Sequence, residues 1–517
     1  MSGGAPDGRN GAARAVIDIG SSAIRMVVGE VEATGAIRIL DRADRPVPLG
    51  HDVFGSGTAS RTTIGASLDA LASFQELLRG WGIGPGETTV IATSALREAE
   101  NRDTFVDRVA LRTGLDVRVI DGVEENRLTY LGAVHAIKAA IPRFARSNSL
   151  IMQIGTGSTE FMLLRRGRMA FVHSLKLGSA RMEDMLRPMH GNPERLRRVL
   201  SETVAPTREV LSHEQPLKHI RRFVAGGGVI RLAASRAGRR IAEHCSLIER
   251  PALQELIRGL QALRVEELVH ELSIPYEDAE GILPDLIVYD LFLESTAAQQ
   301  VIVPELSIRE GVLLSAALDD EESRREFERQ TIASALSVAR KYHAEDPHVR
   351  HVTRLALVLF DLLAADHGLG HRERLLLNVA ALLHEVGKLI KASGHHKHGA
   401  YIVANSEVFG IDERDTAVVA NVVRYHRRAL PAMSHPMYAE LSRRQRLVVN
   451  KLAAILRVAD ALDVSHLGRV DRFDAERAGD VLRLKCGYQG DLSLERMALA
   501  RKGELMDQVF GLRVELS

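Results

Sequence analysis

Two segments of the chain place glycine and hydroxyl residues directly after an apolar, strand-like run. These residues are Gly20, Ser21 and Ser22 in the first segment, and Gly155, Thr156, Gly157, Ser158 and Thr159 in the second. Glycine lets backbone N–H groups approach an oxyanion closely, and Ser and Thr add short hydroxyl donors. Asp18 ends the first strand pattern, where a carboxylate can hold Mg²⁺ against phosphate oxygens. We therefore expect phosphate chemistry at these two turns.

The two segments form an internal repeat. Each has a strand pattern, a polar residue, an isoleucine, a glycine and small residues, and the polar residues Asp18 and Gln153 are 135 positions apart. This spacing is too long for a solenoid and is typical of two related domains. Two matched domains would hold a phosphate from both sides.

The elements around the repeat alternate between strand and helix patterns. Strands are predicted at 16–18, 26–30, 88–92, 116–120, 150–154 and 161–164, and helices at 64–78, 103–113 and 123–141. Such alternation indicates an α/β architecture. On the helix that starts at Val123, Glu125 lies roughly 200° from the apolar stripe at 100° per residue, so its carboxylate is expected to face a cleft.

The composition limits the class of protein. The chain has 517 residues, 68 Lys+Arg, 67 Asp+Glu and two cysteines. This length predicts three or four domains, and the apolar fraction excludes collagen-like and disordered chains. Two cysteines, Cys245 and Cys486, exclude a disulfide scaffold and suit a reducing compartment.

The same composition gives expectations about location and partners. No apolar stretch approaches the ~18–20 residues that span a bilayer, and residues 1–13 lack the apolar core of a signal peptide. We expect a soluble, cytoplasmic protein with a disordered extension at 1–13 and no membrane partner. Aromatic residues make up 4% of the chain, which argues against a base-stacking nucleic-acid platform. Basic clusters at 195–198 and 231–240 are candidates for binding a phosphate chain.

Four motifs in order give the chain a family resemblance. They are Asp18-Ile19-Gly20-Ser21-Ser22, the run 92–101 (ATSALREAEN), the run 122–128 (GVEENRL) and the run 154–160 (IGTGSTE). Together with Lys176-Leu177-Gly178-Ser179-Ala180-Arg181 and Ala225-Gly226-Gly227-Gly228, they resemble the exopolyphosphatase/guanosine pentaphosphatase (Ppx/GppA) family. The resemblance covers about residues 14–317.

This resemblance implies two actin-like (ribonuclease H-like) ATPase-fold domains, at 14–128 and 129–318, with a cleft between them. It implies Mg²⁺-dependent removal of the terminal phosphate from polyphosphate or from guanosine pentaphosphate. By position, Glu125 matches the carboxylate that activates water, Arg97 matches a phosphate-binding arginine, and Asp18 and Glu160 match metal ligands. Arg25 resembles an arginine that lies near the substrate in some members.

The chain departs from the family pattern in the second repeat. Gln153 stands where an aspartate usually helps to hold the metal, and Thr156 stands where the family has glycine. A neutral ligand in place of a carboxylate predicts weaker Mg²⁺ binding. Three functions follow as alternatives: exopolyphosphatase, guanosine pentaphosphate 5'-phosphohydrolase, or a weakened regulator that binds polyphosphate or nucleotides.

Histidine is concentrated in the last part of the chain, where the 193 residues from Arg325 hold 12 of the 20. His348, the pair His384-Glu385, and Asp460 resemble the metal ligands of HD-domain phosphohydrolases, with Glu385 in place of aspartate. Two more histidines, His395 and His426, fall where two-metal members place extra ligands.

The resemblance implies a helical HD-like domain at 325–470. The strand and helix patterns that follow predict a small α+β segment at 471–517. A second divalent metal is one interpretation of the histidines, and a fourth alternative for the function places catalysis in this domain. Dimerisation and polyphosphate binding by this domain are the alternative, and a homodimer is expected.

Overall fold

The computed structural model describes residues 13–32, 35–142, 144–186, 193–274, 276–317 and 321–517. The chain divides into two compact units, Met1–Glu326 and Phe327–Ser517. All but the last residue of the predicted extension at 1–13 lies outside the described residues.

The first half of unit 1 is a five-stranded sheet with helices. The strands, in the sheet order β3-β2-β1-β4-β5, are numbered along the chain as β1 (Arg14–Ile19), β2 (Ala23–Val31), β3 (Ile37–Pro46), β4 (Thr88–Ala92) and β5 (Val117–Val119). The helices are α1 (Leu49–Ser56), α2 (Arg61–Gly80), α3 (Ser94–Glu98), α4 (Arg102–Thr113) and α5 (Gly122–Ala140).

The second half of unit 1 is a seven-stranded sheet in the order β10-β11-β12-β9-β6-β7-β8. Its strands are β6 (Ser149–Ile154), β7 (Thr159–Arg165), β8 (Arg168–Leu175), β9 (Arg222–Gly226), β10 (Gly238–Ala242), β11 (Cys245–Glu249) and β12 (Gln300–Pro304). Its helices are α6 (Ser179–Leu186), α7 (Pro193–Glu214), α8 (Gly228–Ala237), α9 (Arg250–Gln261), α10 (Val265–Leu272), α11 (Tyr276–Ser295) and α12 (Ile308–Ala317).

The internal repeat is structural. β1 and β2 form one antiparallel hairpin with Asp18 opposite Arg25, and β6 and β7 form another with Gln153 opposite Glu160. In both sheets the first hairpin strand also pairs in parallel with a later strand, β4 or β9. The apolar runs of β1 and β6 are buried because each strand lies inside its sheet. The predicted α/β fold with two related sheets is confirmed.

Helix α12 follows the second sheet in sequence but packs against the first. Ile308, Val312 and Leu313 form a buried cluster with Val16 of β1 and Leu128 of α5. α5 and α12 cross closely, since a Cβ on Gly311 would lie 2.0 Å from the Leu128 carbonyl oxygen. The domain boundary predicted between residues 128 and 129 lies within α5.

Unit 2 is helical and ends in a small α+β segment. Its helices are α13 (Glu321–Lys341, which begins just before the unit), α14 (Pro347–Leu362), α15 (Ala364–His367), α16 (His371–Leu383), α17 (His395–Ala404), α18 (Glu413–Tyr425), α19 (Pro436–Ala439) and α20 (Arg443–Ala461). The segment comprises β13 (Phe473–Ala478), β14 (Val481–Cys486), α21 (Ser493–Lys502), α22 (Glu504–Phe510) and β15 (Arg513–Leu516).

The sequence predicted a helical region followed by a segment of helices and strands, but it did not predict β13. That strand lies at the edge of the three-stranded sheet and is mostly exposed, with the sequence FDAERA. A short charged edge strand has no apolar face to reveal it. Among the described helices, none has the length and apolar content needed to cross a membrane.

Candidate active site

The two turns predicted to bind phosphate share a backbone hydrogen bond. In the first turn the Gly20 N–H donates to the Ala23 carbonyl at 3.1 Å, and in the second the Gly155 N–H donates to the Ser158 carbonyl at 2.9 Å. The turns face each other, because the hydroxyls of Ser22 and Thr156 are 3.3 Å apart. The predicted pairing of the two turns around one space is therefore present.

The start of α3 closes one side of this space. The Ser94 hydroxyl lies 3.1 Å from the Ser21 hydroxyl. A Cβ on Gly157 would lie 2.6 Å from the Ser94 hydroxyl oxygen and 2.6 Å from the Phe54 ring. Only glycine lets the second turn approach α3 so closely. Thr159 is buried, and its hydroxyl donates to the Leu177 carbonyl, so its side chain supports the turn.

Three carboxylates lie buried around the turns. Asp18, Glu125 and Glu160 are 8%, 8% and 1% exposed. Burial raises the pKa of Glu160 to about 8, and the nearby charge of Glu125 adds to the increase. Burial also raises the pKa of Glu125 and of Asp18, against the opposing charges of Arg97 and Arg309. The Glu125 carboxylate thus repels those of Asp18 and Glu160 in a medium that favours their neutral forms.

Two of these carboxylates have an oxygen without a hydrogen-bond partner. Asp18 Oδ1 and Glu160 Oε2 are buried and unpartnered among the described residues. The other Glu160 oxygen accepts from the Ser158 hydroxyl at 2.5 Å. Unpartnered carboxylate oxygens close to a third acid are the donor set that suits a hard divalent cation such as Mg²⁺.

Arg97 orients Glu125. Its Nη1 donates to the Glu125 carboxylate at 3.1 Å and to the Ile120 carbonyl at 2.9 Å. Glu125 lies in the first turn of α5, whose N-cap Asp121 accepts from the Glu124 N–H at 2.8 Å. The hydrogen bonds among the described residues use only Nη1 of Arg97, which leaves Nε and Nη2 available for a phosphate.

Arg25 lies beside Asp18, as its cross-strand position requires, and forms an ion pair with Asp44 at 3.4 Å. Sequence reasoning missed Arg309, whose buried guanidinium on α12 carries an unpartnered Nε and acts electrostatically on Asp18. Burial and the nearby Arg309 charge lower the pKa of Arg231 to about 10. Arg309 precedes Glu310, which is also buried, and no sequence pattern marks either residue as part of the site.

Gln153 occupies in the second hairpin the place that Asp18 occupies in the first. Its side chain is half-buried and lies against Gly226, since a Cβ added to that glycine would be 3.1 Å from Gln153 Oε1. The end of β6 is held by Tyr289, whose hydroxyl accepts from the Ile154 N–H at 2.9 Å and donates to the Gly226 carbonyl. The amide is therefore placed at the strand end next to Glu160.

Unit 2 brings the predicted histidine ligands together in two groups. His348, His384 and Asp460 form one, and Glu385, His395 and His426 form the other. Within each group the possible ligand atoms lie within 4.8 Å of one another. Each lies at the end of a helix or within two residues of it, as for His384 and Glu385 after α16.

The ring hydrogen bonds fix which nitrogen is free to bind a metal. Nδ1 of His384, His395 and His426 donates to the backbone carbonyl three residues earlier, at 2.7, 2.9 and 2.7 Å. In the neutral rings Nε2 therefore carries the lone pair. Burial lowers the pKa of His384 to about 4 and that of His426 well below its usual value, so both rings stay neutral.

Two of these lone pairs point at each other. Nε2 of His395 and Nε2 of His426 are 3.1 Å apart, while Nε2 of His384 is buried and unpartnered among the described residues. Facing lone pairs are favourable only with a cation between them. The second group therefore fits a divalent metal.

Asp463 and two lysines complete this cluster, and sequence reasoning had given them no role. Asp463 Oδ2 lies 2.8 Å from His348 Nδ1, and it follows Asp460 by three residues, one helical turn later. Burial lowers the pKa of His348, but its hydrogen bonds to Asp460 and Asp463 raise it to about 9. Lys502 pairs with Asp460, and Lys388 pairs with Glu385.

Family comparisons cover nearly the whole chain. The model of the Ppx/GppA phosphatase family matches residues 27–320, and that of Ppx/GppA phosphatase, domain III, matches residues 329–499. The chain belongs to the Ppx/GppA phosphatase family. The predicted resemblance is confirmed, and it extends from the two sheets into the helical unit.

The relatives of this chain carry names that specify different activities. A curated relative is the guanosine-5'-triphosphate,3'-diphosphate pyrophosphatase of Pseudoalteromonas translucida (strain TAC 125), 25% identical over 428 residues, which are 80% of this chain and 81% of the relative. An exopolyphosphatase structure from Cytophaga hutchinsonii ATCC 33406 has a TM-score of 0.51 and 22% identity, and covers 58% of this chain and 96% of its own.

A Ppx/GppA structure from Aquifex aeolicus has a TM-score of 0.49 and 23% identity, over 59% of this chain and 98% of its own. The Cytophaga structure shows that the two-sheet unit has the fold of this family. Membership of the family supports a phosphoanhydride hydrolase.

Proposed function

We propose that this protein is an exopolyphosphatase that hydrolyses the terminal phosphoanhydride bond of inorganic polyphosphate between the two turns. The observation that carries the proposal is the burial of Asp18, Glu125 and Glu160 around two facing Gly/hydroxyl turns. A phosphate chain supplies only charge and oxygen atoms to bind, which is what glycine N–H groups, hydroxyls and arginine recognise.

The residues of the chain supply orientation and a base. The turns and the free N–H groups of Arg97 hold the terminal phosphate, and Glu125 accepts a proton from the attacking water. The water oxygen bonds to the terminal phosphorus as the bridging P–O bond breaks, and the shortened chain leaves with the electron pair. Burial raises the pKa of Glu125, which strengthens it as a base, and Arg97 fixes its orientation.

Asp18 and Glu160 are the residues that would hold Mg²⁺, since each has an unpartnered buried oxygen. When bound, the ion neutralises charge on the phosphate oxygens. Gln153 contributes no charge at this site, so we expect a higher Mg²⁺ requirement than a carboxylate there would give.

Guanosine pentaphosphate is the second candidate substrate. The observation that favours it is the Pseudoalteromonas relative, whose name specifies that nucleotide. Both substrates end in the same phosphoanhydride, so the cleft residues would perform the same step on either. A third candidate, a regulator that binds without hydrolysis, is favoured by Gln153.

Phosphate release distinguishes the three. The purified protein with Mg²⁺ is given polyphosphate and guanosine pentaphosphate in separate reactions, and the kcat/KM values are compared. The proposal expects the higher value with polyphosphate. A higher value with guanosine pentaphosphate would support the second candidate, and tight binding without release from either would support the third.

We also propose that the histidine cluster of unit 2 binds divalent metal. The carrying observation is the 3.1 Å approach of two neutral histidine nitrogens in a buried site. Metal content after purification and dialysis, with Mn²⁺ or Zn²⁺ added, tests it. His426→Ala should lose bound metal, whereas the exposed His213→Ala should not; equal metal in both variants would contradict the proposal.

A further inference from the structure

A cavity of about 560 Å³ lies at the edge of the second sheet where β6, β9 and β12 begin. Polar and basic residues just before or at these strand starts line it. Among them are Asn148, Lys218, His219, Arg221, Arg222 and Gln300.

This cavity is remote from the phosphate-binding turns. β6, β9 and β12 are mutually parallel, and the second of the two turns, at Gly155, follows the opposite, carboxyl end of β6. Five or six residues of extended strand separate the two edges by roughly 17–20 Å. A ligand in the cavity would therefore not occupy the cleft.

The cavity has positive charge without compensation. Its lining contains no carboxylate, and the side chains of Lys218, Arg221 and Arg222 form no ion pair or hydrogen bond with any described residue. The basic clusters singled out in the sequence are different, since Arg197 pairs with Asp290 and Arg240 pairs with Glu305.

The backbone holds these cations in place. The N–H groups of Arg221 and Arg222 donate to the Asn148 carbonyl at 3.1 and 3.3 Å, and the Ala297 N–H donates to the Ile220 carbonyl at 3.0 Å. The Gln300 amide donates to Glu249 at 2.8 Å, so that carboxylate already has a partner. Hydrogen bonds thus fix the main chain of both arginines, while their guanidinium groups remain available to bind a ligand.

We propose that this cavity is a second binding site for a phosphate chain, which holds an internal stretch of inorganic polyphosphate while its end lies in the cleft. The choice of ligand rests on the proposed function. Closely spaced cations and amide groups match closely spaced phosphates, and the lining contains no Phe, Tyr or Trp ring on which a base could stack. A polymer long enough to reach both sites gains effective concentration at the cleft, and a short one does not.

The test removes two exposed charges from the cavity. Lys218→Gln with Arg221→Gln is made in a Glu125→Gln background, so that polymer is not consumed during binding. The matched control is Lys138→Gln with Arg112→Gln, which removes the same charge from exposed helix positions in the same unit. Binding of long-chain polyphosphate and of tripolyphosphate is measured by titration calorimetry.

The proposal expects the Kd for long-chain polyphosphate to rise roughly tenfold in the cavity variant and to stay unchanged in the control. Tripolyphosphate should fall from two bound per chain to one. When the cavity variant keeps Glu125, its KM for long-chain polyphosphate should rise while its kcat stays the same. Both kcat and KM for tripolyphosphate hydrolysis should stay unchanged.

Unchanged affinity and stoichiometry in the cavity variant would overturn the proposal, as would occupation of the cavity by GTP or RNA but not by polyphosphate. Failure of the proposed function would give a different result from failure of this second site. The unaltered protein would then release no phosphate, whatever number of polyphosphate molecules it binds.

Discussion

At the scale of single residues, the account depends on how charge is placed around the two turns. Asp18 faces Arg25 across the first hairpin, and Gln153 faces Glu160 across the second. Each hairpin thus brings one carboxylate to the shared space, from the first strand in one case and from the second strand in the other. Glu125 is the third acid, held by Arg97.

Gln153→Asp should lower the Mg²⁺ concentration needed for half-maximal phosphate release, by about tenfold, because it adds a carboxylate beside Glu160. Gln153→Asn is the matched control, with the same shape and no charge. The measurement is a Mg²⁺ titration of the initial rate. Equal Mg²⁺ requirements for the Asp and Asn variants would refute this account of the substitution.

Asp285 gives a prediction about pH and stability. Burial raises its pKa to about 7, although it accepts a hydrogen bond from the Ser179 hydroxyl at 2.6 Å. Between about pH 4 and pH 7 the folded chain keeps a proton here that the unfolded chain releases. Its contribution to the free energy of unfolding therefore falls as pH rises, by about 1.4 kcal/mol per pH unit.

Asp285→Asn should remove this contribution and make the unfolding free energy less dependent on pH from 5 to 7. Urea denaturation at several pH values measures it, with the exposed Asp107→Asn as control. If the Asp285 and Asp107 variants lose stability with pH in parallel, the buried acid does not behave as described.

At the scale of elements, the crossing of α5 and α12 positions Glu125, the proposed catalytic carboxylate. α5 carries Glu125 in its first turn, and α12 carries Arg309 near Asp18. The helices approach closely because Gly132 faces the Ser307 carbonyl and Gly311 faces the Leu128 carbonyl.

Gly311→Ala should therefore destabilise unit 1, by at least about 1–3 kcal/mol, because the added methyl group overlaps the α5 backbone. Gly65→Ala, in α2 with no atom near the new Cβ, should instead stabilise by about 0.5–1 kcal/mol. Chemical denaturation measures both. A Gly311 variant as stable as the Gly65 variant would show that the crossing is not tightly packed.

The sequence predicted most of the elements because strand runs such as residues 150–154 and helices such as α5 have clear apolar periodicity. The turns were predicted from their residue types, and the histidine cluster from the resemblance to HD-domain phosphohydrolases. The sequence did not predict Arg309, Asp463 or Lys502, because their roles depend on tertiary contacts with Asp18, His348 and Asp460. No local pattern encodes such contacts.

At the scale of the whole molecule, each compact unit contains a candidate site of its own. The chain has nearly equal numbers of basic and acidic residues, 68 and 67, but their arrangement differs between the two edges of the second sheet. Acids lie together with Arg97 and Arg309 around the turns, whereas the cavity at the opposite edge is lined by cations without a carboxylate. The expected homodimer stays a prediction.

The central claim is that Glu125 in unit 1, not the histidine cluster in unit 2, performs the hydrolysis. Phosphate release from polyphosphate should be measured side by side for the unaltered protein, Glu125→Gln, Glu124→Gln and His384→Ala. We predict that Glu125→Gln lowers kcat by at least about 100-fold, while Glu124→Gln and His384→Ala keep kcat within a few fold of the unaltered protein. Release that survives in Glu125→Gln and disappears in His384→Ala would contradict the account.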